Sequence, residues 1–229
     1  MEQETQYKSP LLARTKIILV DDHLLFREGI KLLIETEGMG EIIAEAPNGQ
    51  VFLELLTTHN PDLVLMDIEM PVMGGIEATA KAIAMKPDLK ILLVTMLDLS
   101  DDYAKLINTG AIGCVLKSAG KRELENAINT VIKGESYFSN ELLRKIILDF
   151  GKKKDTFPDT TSIENEYTER ELEVLKYLCE GFSASEIADK INRSIKTVEA
   201  HRAKLFQKSE TRNTVNLVLY AIKNKLVEI

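Results

Sequence analysis

The sequence is poor in the features that mark secreted, disulfide-bonded and membrane proteins. Only two of its 229 residues are cysteines, and Cys114 and Cys179 lie too far apart in the chain for a disulfide framework or a zinc site. No apolar run approaches the roughly 20 residues that span a bilayer. The first 15 residues lack the basic-then-apolar pattern of a secretory signal. We therefore expect a cytoplasmic protein with no membrane contact.

The first half of the chain alternates short aliphatic runs with longer amphipathic segments. With 45% hydrophobic and 28% charged residues, the composition is that of a globular protein. Nearly all-apolar strands that alternate with helices predict a parallel sheet covered on both faces. We expect a doubly wound α/β domain with a five-stranded parallel sheet at residues 16–133. Its predicted strands are 17–20, 42–46, 63–66, 91–94 and 114–116.

The second half changes character twice. Residues 139–150 have the pattern of one further helix, and residues 151–166 are polar without periodicity, as in an interdomain linker. From Tyr167 onward the pattern is helical, with turn signals between the helices. The predicted organisation is an N-terminal extension at 1–15, the α/β domain at 16–133, a connecting helix at 134–150, a linker at 151–166 and a small all-α domain at 167–229.

Polar side chains follow four of the predicted strands. Asp21 and Asp22 end the first strand, Asp67 the third, Thr95 the fourth and Lys117 the fifth. In a parallel sheet, ligands bind outside the carboxyl ends of the strands, where the strand order reverses. If the first and third strands are neighbours, three carboxylates converge beside a hydroxyl and an ammonium.

Three carboxylates in close proximity repel one another unless a cation lies between them. Hard oxygen ligands in small number suit Mg²⁺, which we expect as the cofactor. The same set of groups suits phosphoryl transfer, in which one carboxylate attacks phosphorus and the cationic groups take up the oxygen charge. Taken singly, an Asp-Asp pair is more often a helix cap, so the prediction depends on the joint occurrence.

Residues 16–133 resemble the receiver domain of bacterial two-component response regulators, a flavodoxin-like fold. The segments that carry the resemblance are LVDDH, LVLMDIEMPVMGG, LLVTM and GAIGCVLK. The resemblance implies that Asp67 is the phosphoacceptor, with a sensor histidine kinase as donor. It also implies that Asp21, Asp22, Asp67 and the carbonyl of Glu69 hold the metal, and that Thr95 and Lys117 bind the phosphoryl group. Cys114 stands where the family usually has a switching Tyr or Phe.

The C-terminal domain segregates its charges. Residues 163–189 carry a net charge of −6, whereas residues 190–212 carry +5. Thr168, Ser183 and Ser194 are predicted helix N-caps, and the turn at 192–194 joins two helices, 184–191 and 195–209, in the order of a helix-turn-helix. The second of these helices presents small residues among polar and basic ones, which suits a major groove. The expected DNA contacts are Lys196, Thr197, Glu199, Ala200, Arg202, Ala203, Lys204 and Lys208, of which Lys204 and Lys208 should meet phosphates.

The same domain resembles the LuxR-type helix-turn-helix domain in TERELEVL, in EIA at 186–188 and in TVEAHRAKLFQK. Joined to a receiver, it resembles the NarL/FixJ class of response regulators. The final segment is similar to the dimer-forming helix of that class, and Leu217, Tyr220 and Ala221 form a candidate dimer seam. Packing of Leu217 within its own domain is an equally good interpretation.

The resemblance implies a transcription regulator controlled by phosphorylation, not an enzyme with a separate substrate. The expected partners are a sensor histidine kinase, double-stranded DNA with inverted-repeat half-sites, a second copy of the chain after phosphorylation, and RNA polymerase. A phosphatase of the haloacid-dehalogenase type also uses Asp, Mg²⁺, Thr and Lys, but it needs an aspartate where this chain has Glu69. A quorum sensor is a third interpretation, which the acidic strand-end cluster disfavours.

Overall fold

A computed structural model describes residues 15–96, 109–139, 141–143, 167–211, 213–224 and 226–227. The chain divides into two compact units, Met1–Tyr137 and Phe138–Ile229. Within the described residues, no helix is both long enough and apolar enough to cross a bilayer.

The sheet has the strand order β2-β1-β3-β4-β5-β6, and its strands from β2 to β5 are parallel. Strand β1 pairs with β2 on one side and with β3 on the other, so the strand order reverses between β1 and β3. In chain order, the strands of the sheet and the helices between them are β1 (Lys16–Val20), α1 (Leu24–Thr36), β2 (Glu41–Ala46), α2 (Gly49–Thr58), β3 (Leu63–Asp67), α3 (Gly75–Met85), β4 (Ile91–Thr95), β5 (Gly113–Leu116), α4 (Lys121–Ile132) and β6 (Tyr137–Phe138).

The central strands are apolar along their whole length because both faces of the sheet are covered. Every residue of β3, β4 and β5 is buried. One side of the sheet packs against a cluster that includes Ile34 of α1 and Ile128 of α4. Burial on both faces explains why these strands lack the apolar-polar alternation of a half-exposed sheet. The predicted doubly wound fold is confirmed, and it brings β1 and β3 side by side.

The sheet has a sixth strand that the sequence did not predict. The main-chain N–H of Tyr137 donates to the carbonyl of Ile112 at 3.2 Å. This approach depends on Gly113, since a Cβ there would lie 2.6 Å from the carbonyl oxygen of Tyr137. A strand of two residues is too short to produce a periodic pattern. The connecting helix predicted at 134–150 is wrong in its first part, because residues 133–134 form a turn and residues 137–138 form β6. Residues 141–143 are helical, and residues 140 and 144–150 lie outside the described residues.

From residue 167 onward, the regular structure of the described residues is helical. Helix α5 (Glu169–Cys179) follows a capping box at Thr168, and helix α6 (Ala184–Lys190) follows one at Ser183. Helices α7 (Ile195–Ser209) and α8 (Thr214–Lys223) begin after side-chain caps from Ser194 and Asn213. The predicted caps at Thr168, Ser183 and Ser194 are therefore confirmed. Asn192 has a φ of +50°, the left-handed conformation that turns the chain between α6 and α7.

Candidate functional site

The predicted acidic cluster lies at the carboxyl edge of the sheet. Asp21 and Asp22 follow β1, and Asp67 is the last residue of the neighbouring strand β3, with Val20 paired to Met66. Ligand atoms of Asp21, Asp22, His23 and Asp67 all lie within 4.8 Å of one another. Asp21 and Asp67 are buried. The sequence therefore predicted the convergence of the three carboxylates correctly.

Lys117 joins two of these carboxylates. Its Nζ lies 2.8 Å from Oδ2 of Asp21 and 2.7 Å from Oδ2 of Asp67, and the lysine side chain is only 7% exposed. Burial alone would lower the pKa of Lys117, but hydrogen bonds to Asp21 and Asp67 outweigh it and raise the pKa. Burial raises the pKa of Asp67, an effect that Asp21 reinforces and Lys117 opposes. Added positive charge at this site would favour the ionised form of Asp67.

The loop after Asp67 packs tightly because two glycines begin the next helix. The main-chain N–H of Gly75 donates to the carbonyl of Ile68 at 2.8 Å. A Cβ on Gly75 would overlap the carbonyl oxygen of Asp67, so that only glycine fits this position without displacing the end of β3. Glu69 is exposed in this loop, two residues after Asp67.

The remaining predicted receiver residues, Thr95 and Cys114, are buried in the next two strands. Thr95 ends β4, and its hydroxyl donates to the carbonyl of Met96 at 2.8 Å. Its own carbonyl accepts from the main-chain N–H of Lys117 at 2.6 Å, which ties the ends of β4 and β5 together. Cys114 is fully buried within β5, and burial raises the pKa of its thiol. Its position in the core excludes direct contact with a solvent-borne substrate.

Sequence reasoning missed the group of residues that supports Asp21 from α1. Arg27 donates through Nη1 to the carbonyl of Asp21 at 2.5 Å and through Nε to Glu45 at 3.1 Å. Lys31 donates to the other oxygen of Glu45 at 2.7 Å, and this bond together with Arg27 lowers the pKa of Glu45. The sequence signal for this group was the four-residue spacing of Arg27 and Lys31, which places both on one face of α1, together with an acidic residue inside β2.

The exposed side of α7 carries most of the predicted DNA contacts. Lys196, Ala200, Ala203 and Lys204 are exposed on it, while Val198 and Leu205 are buried on the opposite side. Thr197 is half-buried, and its hydroxyl lies 2.9 Å from that of Ser194 at the cap. The helix thus offers small and basic side chains on one face, as predicted from the spacing.

Two of the predicted basic contacts have partners within the protein. Arg202 donates to Glu199 at 2.7 Å and to the hydroxyl of Thr214 at 3.1 Å, which connects α7 to the start of α8. Lys208 donates to Oε2 of Glu171 at 2.6 Å. The sequence indicated Lys208 as a phosphate contact, but its ammonium is committed to a buried carboxylate in α5. Spacing along one helix gives no information about an acid 37 residues away.

The predicted dimer seam is only partly accessible. Leu217 and Ala221 are fully buried in the core of the second unit, so they are not available to a partner. Tyr220 is half-buried, and its hydroxyl lies 3.4 Å from that of Tyr167. The equal alternative for Leu217, packing within its own domain, is the correct one. Helical spacing could not distinguish the two because both use the same apolar face.

Comparison with known proteins supports the same division of the chain. Residues 17–129 match the family described as response regulator receiver domain, and residues 165–221 match the family described as bacterial regulatory proteins, luxR family. The oxygen regulatory protein NreC of Staphylococcus carnosus is 33% identical over 217 residues, which are 93% of this chain and 99% of the relative.

Two solved structures have the same kind of fold. The response regulator ChrA of a heme-sensing two-component system is 25% identical, with a TM-score of 0.50 over 94% of this chain and 100% of that chain. A LuxR-family response regulator from Aurantimonas is 34% identical, with a TM-score of 0.56 over 60% of this chain and 99% of that chain.

A doubly wound sheet with an acidic cluster at the switch point, followed by a helix-turn-helix unit, defines a regulator with an input and an output domain. The chain belongs to the two-component response regulators of the NarL/FixJ class, which join a receiver domain to a LuxR-type DNA-binding domain. It is a DNA-binding transcription regulator that depends on phosphorylation, as the sequence predicted.

Proposed function

We propose that Asp67 accepts the phosphoryl group from a phosphohistidine of a sensor histidine kinase. One carboxylate oxygen of Asp67 forms the new O–P bond while the P–N bond breaks, and the imidazole leaves with its electron pair. The observation that carries this assignment is the position of Asp67 at the buried end of β3, opposite Asp21 and bonded to Lys117. The only phosphoryl chemistry of the chain is then its own phosphorylation and dephosphorylation.

The donor set of the site fits Mg²⁺, because three carboxylates offer hard oxygen ligands within a small space. We assign Asp21, Asp22, Asp67 and the carbonyl of Glu69 as the groups that hold the ion. When bound, Mg²⁺ supplies positive charge that offsets the charge of the phosphoryl oxygens. Arg27 donates to the carbonyl of Asp21 and so holds the main chain at the first of these ligands.

Lys117 and Thr95 provide the remaining polar contacts to the phosphoryl group. Lys117 donates to Asp67 before transfer, and a phosphorylated Asp67 offers phosphoryl oxygens to the same ammonium. The hydroxyl of Thr95 donates to the carbonyl of Met96, so it must break this bond to reach the phosphoryl group. Cys114 replaces the usual aromatic residue, and switching therefore depends on Thr95.

The second unit, in this proposal, binds double-stranded DNA through α7. Lys196, Glu199, Ala200 and Ala203 face base edges, while Thr197 and Lys204 complete the contact surface. Arg202 orients Glu199 through their 2.7 Å hydrogen bond and is not itself a reader of bases. We remove Lys208 from the contact set because it is paired with Glu171.

Phosphorylation is proposed to raise DNA affinity by promoting a homodimer on inverted-repeat half-sites, with RNA polymerase as a further partner at the promoter. One recognition helix offers few base contacts, and two copies on one duplex double them. Of the candidate seam, Tyr220 is retained because it is half-exposed on α8. The domain boundaries proposed for this function are 16–133 for the receiver, 134–150 and 151–166 for the connection, and 167–229 for the DNA-binding domain, after an extension at 1–15.

Acetyl phosphate with Mg²⁺ tests the phosphoacceptor directly. We expect the wild-type chain to gain one phosphoryl group by intact mass and Asp67→Asn to gain none. Asp88→Asn is the matched control, since Asp88 is an exposed aspartate after α3. Undiminished phosphorylation of the Asp67→Asn chain would remove Asp67 from the proposal.

A further inference from the structure

Phe26, in the first turn of α1, lies against the ammonium of Lys117. The Nζ atom of Lys117 stands over the Phe26 ring, 4.7 Å from its centroid. This distance is within the range of cation–π attraction, which grows stronger when the pair is shielded from water. Nothing in the phosphoryl chemistry described above makes use of this ring.

The surroundings of Lys117 leave a defined place for an aromatic face. An ammonium has three N–H donors, and Asp21 and Asp67 accept two of them at 2.8 Å and 2.7 Å. The Phe26 ring, whose face carries partial negative charge, is a third neighbour of the ammonium in the described part of the chain. A small cavity at this point is lined by Phe26, Lys117, Asp21 and Asp67 together with apolar residues such as Ile30 and Leu124.

The geometry restricts a side chain that is otherwise free to adopt many rotamers. A lysine has four rotatable bonds, and fixing them costs conformational entropy each time the ammonium must occupy one position. The Phe26 ring packs with Ile30 against the buried core of the sheet, so it is itself held in place. The fixed ring therefore limits how far the ammonium can move away from the two carboxylates.

We propose that Phe26 is a positioning residue for phosphoryl transfer, because its ring holds the Lys117 ammonium where it contacts both Asp21 and Asp67. The inference rests on the proposed function of Asp67 and Lys117. In this role the ring acts through the lysine and forms no bond to the phosphoryl group. Preorganised charge of this kind contributes to transition-state stabilisation without reorganisation during the reaction.

The test compares rates of phosphorylation by acetyl phosphate at saturating Mg²⁺ in the full chain. We expect Phe26→Leu, which keeps apolar bulk and removes the ring face, to react about tenfold more slowly. Phe26→Tyr keeps the ring and should react within about twofold of the wild-type rate. Phe52→Leu is the matched control, since Phe52 is a fully buried phenylalanine in α2 outside this cavity. It should lower stability and leave the rate per folded molecule unchanged.

A double-mutant cycle separates positioning from packing. In a Lys117→Met background, Phe26→Leu should change the residual rate by less than about twofold, because the ring then has no cation to hold. An equal loss in both backgrounds, or a Phe26→Leu rate equal to that of the wild type, overturns the proposal. If Phe26→Leu fails to fold, Phe26→Met decides in its place, since methionine retains volume without an aromatic face.

Phosphorylation of the wild type, Asp67→Asn and Phe26→Leu distinguishes an error about Asp67 from an error about Phe26. If the wild-type chain accepts no phosphoryl group, or if Asp67→Asn accepts one, the proposed function is wrong and the role of Phe26 falls with it. If Asp67 is phosphorylated normally and Phe26→Leu matches the wild type, only the role of Phe26 is wrong.

Discussion

Replacing Lys208 by glutamine should chiefly lower the free energy of unfolding of the DNA-binding unit, with a smaller effect on its contacts with DNA phosphates. Lys208 belongs to α7, but its ammonium bonds Oε2 of Glu171 at 2.6 Å and lies 5.4 Å from the ring centroid of Tyr167. The Glu171 side chain is 3% exposed and that of Lys208 is 33% exposed. The same oxygen of Glu171 accepts from the main-chain N–H of Thr168 at 2.9 Å, as part of the capping box of α5.

The expected loss follows from leaving a buried carboxylate with fewer donors. Removing one partner of a fully buried ion pair costs about 3–5 kcal/mol. Because Lys208 is one-third exposed and Thr168 still donates, we expect a smaller loss of about 2 kcal/mol in the free energy of unfolding. Glu171→Gln retains a capping side chain and loses the charge, so adding it to Lys208→Gln should recover about 1 kcal/mol.

The stability that the Glu171–Lys208 pair contributes should depend on pH as expected for a carboxyl group whose pKa is lowered by folding. Burial would raise the pKa of Glu171, but hydrogen bonds from Lys208 and Thr168 outweigh it and lower the pKa below its ordinary value of 4.5. The stabilisation is therefore complete above about pH 4.5 and is lost as the pH falls through the folded-state pKa. In Lys208→Gln this acid-dependent loss should shrink.

Urea unfolding of the full chain and the salt dependence of its DNA binding check the assignment together. Lys204→Gln is the matched control, an exposed lysine on the same helix with no ion pair among the described residues. It should leave unfolding unchanged and flatten the log–log salt slope by roughly 0.9. If Lys208→Gln behaves like Lys204→Gln in both assays, the Glu171–Lys208 pair does not stabilise the fold, and Lys208 contacts DNA phosphate as the sequence predicted.

Three further changes test the receiver. Gly75→Ala should lower the free energy of unfolding by about 2 kcal/mol and reduce phosphorylation, because the new Cβ would overlap the Asp67 carbonyl. Gly29 lies in open space on α1, and Gly29→Ala should raise stability by about 0.5–1 kcal/mol in the same urea titration. Asp67→Asn should raise stability by about 1 kcal/mol in magnesium-free buffer, because a pKa raised in the folded state makes the ionised group unfavourable above its ordinary pKa; a loss of stability would contradict this sign. Val72→Asn should raise the melting temperature, since Val72 is 84% exposed at a φ of +69° where asparagine is tolerated and valine is strained, and an unchanged value would show that the loop bears no strain.

The receiver could be predicted from the sequence because its site follows from the direction of the strands. Parallel strands place their carboxyl ends at one edge, so Asp21 and Asp67 had to meet once β1 and β3 were neighbours. The missing parts depend on contacts between distant segments. The spacing of Arg27 and Lys31 on α1 does not reveal that Arg27 donates to the carbonyl of Asp21, and Phe26 beside Lys117 has no local pattern of its own.

The DNA-binding unit was predicted well where side chains act locally and poorly where they act across helices. The caps at Thr168, Ser183 and Ser194 use residues three apart and were visible in the sequence. The pairing of Lys208 with Glu171 could not be predicted, because Glu171 lies in another helix. Leu217 and Ala221 were misassigned because an apolar stripe does not reveal whether its own domain or a second copy covers it.

The most direct test of the account is the affinity of the full chain for a selected inverted-repeat DNA site, measured before and after treatment with acetyl phosphate and Mg²⁺. We expect phosphorylation to raise the affinity of the wild-type chain and to favour a dimer on the DNA, with no change for Asp67→Asn. An affinity that is unchanged by phosphorylation, or that rises equally in Asp67→Asn, would contradict the claim that the acidic site at Asp67 controls the recognition helix.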